Sequence, residues 1–409
     1  MLWSTALKEI KRHLVMNLLI FIELAVTVIL VAVMVTSVMI RYKYYSPFKD
    51  LYSSDGLYCE FTKAASTGAA FSSMEEFLDG KDIFPYLSSP EMIVCSDSVM
   101  AFPMNENENV QCKCYSFNDE LISRYTPELA EGKWFDIISS GDTIEAVISE
   151  NENGWRVGDV IPVQFACKGW DGQLDVKIIG MLKKGTKLPC ITHEHTGDSN
   201  SNMVFSEYDI EENGCPLLLF SYSQLKARNV FQSINCAFIK YKDSTSAEAL
   251  LDDQKQITRL GGVFSATLSE INDNSISYFK VQIFNYLPII IVVMILTLVS
   301  SISITALSTR RRLHDYGIYF LCGLKWKSCC LVNLFWALMA ESAAVIAAAL
   351  FITFSGRLPL LGKITVLPNI FSFSAAAAVL LIFTAGSMLM PLIIIGNSTP
   401  KEILSRGDA

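Results

Sequence analysis

Nowhere in these 409 residues is there a Gly-x-x-x-x-Gly-Lys-Ser/Thr run, so the chain has no phosphate-cradling loop of that kind. Histidine is scarce. Of the four present, His13 and His314 flank apolar runs, so no Ser/His/Asp arrangement can be assembled and the chain reads as a non-enzyme. Charge is almost missing from four long stretches. These are Leu14 to Ile40 and Leu331 to Phe354, with one carboxylate each (Glu23 and Glu341), and Ile283 to Leu307 and Ile370 to Ile395, with no charge at all. Each is about the 20 residues or more that a hydrocarbon core of roughly 30 Å requires. None carries the polar face of a globular helix, which argues against buried helices of a soluble protein.

The charge that remains is partitioned. Tyr42 to Gln282 holds 20 Lys/Arg against 35 Asp/Glu, a net −15, and the rest of the chain 13 against 6, a net +7. An acidic block on a basic membrane base argues against nucleic acid as the block's partner. Lys8, Lys11 and Arg12 precede the first run, so the positive-inside rule puts the amino terminus in the cytoplasm and the acidic block outside. The first run is 27 residues long. That exceeds the roughly 7 to 15 of a signal h-region, so it is expected to stay as an anchor.

The expected fold class follows: a membrane α-helical protein with four transmembrane helices and a large extracytoplasmic α+β domain inserted between helices 1 and 2. The expected segments are 1–13, a cytoplasmic amphipathic helix with Leu2, Trp3, Ala6, Leu7 and Ile10 on one face; 14–40, helix 1; 41–282, the outer domain in two lobes; 283–307, helix 2; 308–330, a cytoplasmic coupling loop; 331–354, helix 3; 355–369, a short outer loop; 370–395, helix 4; and 396–409, a cytoplasmic tail.

In the acidic block, Thr143 to Ile148 alternates as a strand. Val160 to Ala166 and Leu174 to Leu182 form a hairpin around Gly169 to Gln173. Ser73 to Leu78 and Ser246 to Arg259 have helical spacing. The ends of the block (Tyr42 to Leu87 and Phe231 to Ser269) with the hairpin are expected to make one module, with Asn200 to Leu225 peripheral. Eight of the eleven Cys lie in this block, and whether they join is left open by spacing. Cys190, His193, Glu194 and His195 form a metal-like cluster that matches no standard zinc spacing and reads as incidental.

Two features bear on function. Glu23 and Glu341 are carboxylates inside apolar runs, costly there unless paired or near the edge. Glu341, among Ala340, Ser342, Ala343, Ala344, Ala347, Ala348 and Ala349, reads as a residue that pairs across closely packed helices, with direct substrate or proton handling as the rival role. Glu23 is set for either snorkelling or function. The second feature is the basic segment Leu307 to Lys327, in which Arg310, Arg311 and Arg312 precede Tyr316, Gly317, Ile318, Tyr319, Phe320 and Gly323. It reads as a turned segment at the inner surface with an aromatic face for a partner.

On these residues the chain resembles the FtsX-like permeases of ABC transporters, including the MacB type. Arg310-Arg-Arg-x-x-x-Tyr316-Gly317-Ile318-x-x-x-Cys322-Gly323 is similar to the family's segment after the second span, although its acid is displaced to Asp315. Glu341, Val147-Ile-Ser-Glu150 with Val157-Gly158-Asp159-x-Ile161, and Pro400-x-Glu402-x-Leu404 resemble further family positions. The resemblance implies a permease subunit that dimerises with a like or unlike chain. It also implies cytoplasmic ABC ATPase partners, which bring ATP and magnesium while this chain holds no cofactor, no metal and no catalytic residue. The implied function is transmission of ATP-driven motion to the outer domain, for export of or resistance to peptides or toxic compounds. Lipoprotein handling, control of a cell-wall hydrolase and an ATP-independent membrane sensor are the alternatives.

Single-cysteine labelling in intact cells tests the topology. Positions 311 and 406 should react only after the membrane is opened, and position 171 without opening; labelling of 311 from outside would refute the orientation.

Overall fold

An apolar run without a polar face satisfies its backbone within itself, and a helix does so residue by residue. In the computed structural model the four runs lie within helices α1 (Leu14–Tyr45), α4 (Leu268–Leu321), α5 (Ser328–Ser355) and α6 (Ile370–Gly396). Each is long and apolar enough to cross a membrane. Among the shorter helices that precede α4 are α2 (Asp119–Arg124) and α3 (Ala247–Arg259). The structure describes residues 14–61, 87, 90–105, 108–136, 143–167, 170–191, 200–242, 244–259, 262–323, 325–326, 328–355 and 370–399. The expected helices at 1–13 and Ser73 to Leu78, residues His193 to His195, the outer loop and most of the tail lie outside them.

The chain divides into two units, Met1–Ile40 with Phe279–Ala409, and Arg41–Tyr278. In the helical unit, Leu24, Val28 and Val31 of α1 pack with Ile290 of α4, Ala344 and Ala348 of α5, and Val379 and Phe383 of α6. The small residues of α5 serve closeness only where helical period turns them inward: Ala344 and Ala348 are buried, whereas Ala343 is exposed. Hydroxyl pairs cross the same interfaces, Thr27 with Thr297 at 3.3 Å and Thr36 with Ser372 at 3.3 Å.

The second unit is built on strands β1 (Gly56–Phe61), β2 (Met92–Val99), β3 (Ala101–Asn105), β4 (Glu108–Asn109), β5 (Lys113–Phe117), β6 (Leu129–Gly132), β7 (Ile144–Ile148), β8 (Val160–Cys167), β9 (Trp170–Leu182), β10 (Lys187–Pro189), β11 (Phe205–Glu207), β12 (Leu217–Ser221), β13 (Gln232–Lys240) and β14 (Gly262–Thr267). Twelve join in one mixed sheet, ordered β14-β1-β13-β2-β5-β12-β7-β9-β8-β3-β4, with β6 also on β9; β10 and β11 pair apart. The pairs β5 with β12 and β7 with β9 are parallel.

The expected strand at Thr143 to Ile148 and helix at Ser246 to Arg259 are present as β7 and α3. The expected hairpin is β8 with β9, but Cys167 already pairs with Trp170, so Asp171 and Gly172 are strand residues opposite Ala166 and Phe165, not turn residues. The two expected lobes are two cores on one continuous sheet. One gathers Leu57, Phe61, Cys95, Ile239 and Ile257; the other Ile144, Ile161, Val163, Val176, Leu218 and Phe220. The hairpin belongs to the second core rather than to the module of the block's ends. The segment Asn200 to Leu225 is not peripheral, because its β12 lies between β5 and β7 with all five residues buried.

β6 approaches β9 closely enough to need two glycines. A β-carbon on Gly132, which holds a φ of 83°, would lie 2.2 Å from the Ile179 carbonyl oxygen, and one on Gly180 would lie 2.5 Å from the Lys133 carbonyl oxygen. Nearby, Lys43 and Lys183 hydrogen-bond Glu128 and hold its carboxyl down at about 2. Gly132→Ala should therefore destabilise this unit by about 1–3 kcal/mol, through backbone strain added to the clash. Hydrogen exchange on the full chain reads this directly: the β6 and β9 amides should lose protection, and unchanged protection would contradict the close approach.

Candidate functional site

The basic segment after the second apolar run is not a loop. α4 continues without a break to Leu321, so residues 308–321 project as helix about 21 Å past the apolar stretch at a rise of 1.5 Å per residue. Helical period then sorts the side chains. Ser308, Arg312 and Tyr316, spaced by four, face inward at 4%, 3% and 1% exposure, and Gly317 is buried beside them. Arg310, Arg311, Ile318 and Phe320 face outward, with Tyr319 half-buried between.

The inward face meets the start of α5 and the end of α6. The Tyr316 hydroxyl donates to Asn333 Oδ1 at 3.0 Å, and the Arg312 guanidinium lies 5.2 Å from the ring centroid of Trp336. Tyr316, Cys329 and Ile395 form a small core with Leu313, Tyr319 and Trp326 against it. Arg312, Tyr316 and Gly317, expected at the surface, are thus buried in this chain. Tyr316 and Arg312 hold the helix ends together, because their spacing from Ser308 places them on the packing stripe rather than on the free face.

The connection to α5 is short and anchored. Cys322 N–H donates to the Ile318 carbonyl and Gly323 N–H to the Phe320 carbonyl, both at 3.0 Å, closing the helix. Gly323 has a φ of 95° with nothing within 4 Å of a β-carbon, so it supplies a turn conformation. Trp326 Nε1 donates to the Ile395 carbonyl at 2.9 Å, and the Phe320 ring stands edge-on to Trp326 with centroids 6.3 Å apart. The outcome is a helix end carrying two exposed guanidinium groups and exposed Ile318 and Phe320 on a braced base.

Glu341 lies deeper in the bundle at 2% exposure. It accepts hydrogen bonds from Thr384 Oγ1 at 2.5 Å and Ser387 Oγ at 3.1 Å, both on α6. Pairing across helices is what its sequence context led one to expect. Its partners were not foreseen, although the hydroxyls at Thr384 and Ser387, three apart in an apolar run, were the available signal. Glu23 is part-exposed on α1; its carbonyl accepts from Thr27 Oγ1 at 2.8 Å, and its Oε2 has no hydrogen-bond partner among the described residues. Glu23 and Glu341 share no hydrogen bond. Asn333, Trp326 and Trp336, which position the basic segment, were also missed, since the runs around them read only as apolar.

No family model matches the chain, and no curated protein matches it. Among solved structures, the extracellular domain of the noncanonic ABC-type transporter YknZ from Gram-positive bacteria is similar over 52% of this chain and 100% of its own, at 13% identity and a TM-score of 0.27. The periplasmic region of MacB from Actinobacillus actinomycetemcomitans is similar over 57% of this chain and 98% of its own, at 11% identity and a TM-score of 0.30. Identity and superposed fit are both low, and the functional reading rests on the chain's own residues.

If Glu341 joins α5 to α6, Thr384→Val combined with Ser387→Ala should strand its carboxyl in the bundle. The purified chain in detergent should lose about 1–2 kcal/mol, the scale of hydrogen bonds between membrane helices. Glu341→Gln, whose amide oxygen can still accept from one hydroxyl while its amide nitrogen donates to the other, should lose less. Equal thermal midpoints for wild type and the double variant would show that the contact contributes nothing.

Proposed function

We propose that this chain is the membrane-spanning permease subunit of an ABC transporter. In this reading four helices cross the cell membrane with both termini in the cytoplasm, and the Arg41–Tyr278 unit lies outside, between the first and second spans. The chain works with a second permease chain and with separate cytoplasmic ATPase subunits, which bind ATP and magnesium. Its task is to convert their closure and opening into movement of the outer unit, for export of or resistance to peptides or toxic compounds.

The observation that carries this reading is the projecting end of α4. A helix that continues past its apolar stretch, is clamped by Tyr316, Arg312 and Trp326, and still exposes Ile318 and Phe320 beside Arg310 and Arg311 is built as a contact for another protein. Because α4 is helical from that end through its apolar stretch, force on the end is delivered to the span itself. The polar contacts at Thr27, Thr36 and Glu341 join α1, α4, α5 and α6, so the spans respond together.

The test is purification of the tagged full chain from its own host, followed by reconstitution with whatever ATP-hydrolysing chain accompanies it. Ile318→Asp combined with Phe320→Asp should leave insertion unchanged and weaken ATPase association about tenfold, roughly 1.4 kcal/mol. The absence of any co-purifying ATP-hydrolysing chain would overturn the reading. Wild-type association in the double variant would remove the α4 end from it.

A further inference from the structure

Cys190 closes β10 in a conformation that side chains rarely take, with a φ of 59°. Such a backbone is strained for a residue with a β-carbon and persists where its surroundings hold it. Three hydrogen bonds do so: Cys190 N–H donates to the Val204 carbonyl at 2.8 Å, and its own carbonyl accepts from Asn235 Nδ2 at 2.7 Å and from Ser96 Oγ. Ser96 and Asn235 stand on neighbouring strands, β2 and β13, where the register shifts between Ile234 and Cys236.

The same Asn235 Nδ2 lies 3.6 Å from Cys236 Sγ. One amide nitrogen thus reaches both the Cys190 carbonyl and the Cys236 sulfur, and both cysteines are 1% exposed or less. Here the strained residue, its carbonyl clamp and the shifted register converge on a second thiol. Cys59 and Cys95 instead pack in the cluster around Leu57 and Ile239.

We propose that Cys190 and Cys236 are a redox pair that closes into a disulfide, fastening the end of β10 to β13. The oxidant is a disulfide-bearing thiol compound or oxidoreductase. The thiolate of one cysteine attacks a sulfur of the oxidant's disulfide, forming a mixed disulfide and releasing one oxidant thiolate. The thiolate of the other then attacks the protein sulfur of that mixed disulfide and releases the second. Two electrons pass from the protein to the oxidant, and the two thiol protons end on the released oxidant thiolates. Burial pushes the Cys190 thiol well above its ordinary value, so thiolate is scarce in the closed unit and exchange is slow there. The bond therefore forms as the unit folds or opens locally, and once formed it resists reduction.

The experiment uses the full chain in detergent at pH 8, equilibrated with mixtures of reduced and oxidised glutathione in urea below the unfolding range. Remaining thiols are trapped with N-ethylmaleimide, and the peptides are mapped. The expected product is a linked Cys190 and Cys236 peptide pair, lighter by two hydrogens than the separate peptides. Oxidised wild type should melt roughly 5 °C or more above reduced wild type. Cys190→Ser and Cys236→Ser should each abolish that redox-dependent difference, whatever their own stability. Maleimide on both cysteines at every glutathione ratio, linkage of either to a different cysteine, or equal melting of the two wild-type forms would each overturn the proposal.

Discussion

Hydrocarbon offers no hydrogen bonds, so a polar atom carried into it must find its partner inside the protein. Glu341 is the most demanding case in the bundle, and it is met by two hydroxyls of one neighbouring helix. That need fixes which face of α5 turns inward, and Ala344 and Ala348 follow on the same stripe at spacings of three and four. Their small side chains bring α5 within reach of Phe383 and Val379 on α6 and of Leu24 and Val28 on α1. The projecting end of α4 depends on this arrangement too, since Asn333, Trp336 and Ile395, which brace it, are carried on α5 and α6.

The sheet unit obeys a different rule. Water is available at its surface, so order comes from strands that bury alternate or continuous apolar sets in two cores along one sheet. The two units thus use polar groups in opposite ways. In the bundle Thr27, Thr36 and Glu341 are bonded across helices, whereas in the sheet the ladder satisfies the backbone.

How much of this was legible depended on whether the signal was local. The four spans were, because the lack of charge over 20 or more residues has few other meanings. β7, the β8 and β9 pair, and α3 were legible from period, but the hairpin turn was set too late because Asp171-Gly172 has turn chemistry and yet pairs within the ladder. β12 was misplaced because Leu217 to Phe220 shows no alternation, which is what a strand covered on both faces looks like. The basic segment was misread as a loop because three arginines end the hydropathy of a span without ending its helix. Within it, Arg310, Arg311, Ile318 and Phe320 keep the exposure expected of a contact surface, while Arg312 and Tyr316 do not. The partners of Glu341 required knowing which helices are neighbours, and a single sequence does not state that.

β1 pairs with β13 on one side and β14 on the other, so a strand begun at Gly56 is flanked by strands that begin at Gln232 and Gly262. During synthesis its two edges stay bare while well over 150 further residues are made, and contacts of such separation close slowly. The sheet cannot finish before β14 emerges, immediately ahead of α4. The edge of β1 that β14 covers therefore has no native partner until the chain reaches the start of its longest described helix, and that interval is when mispairing is easiest.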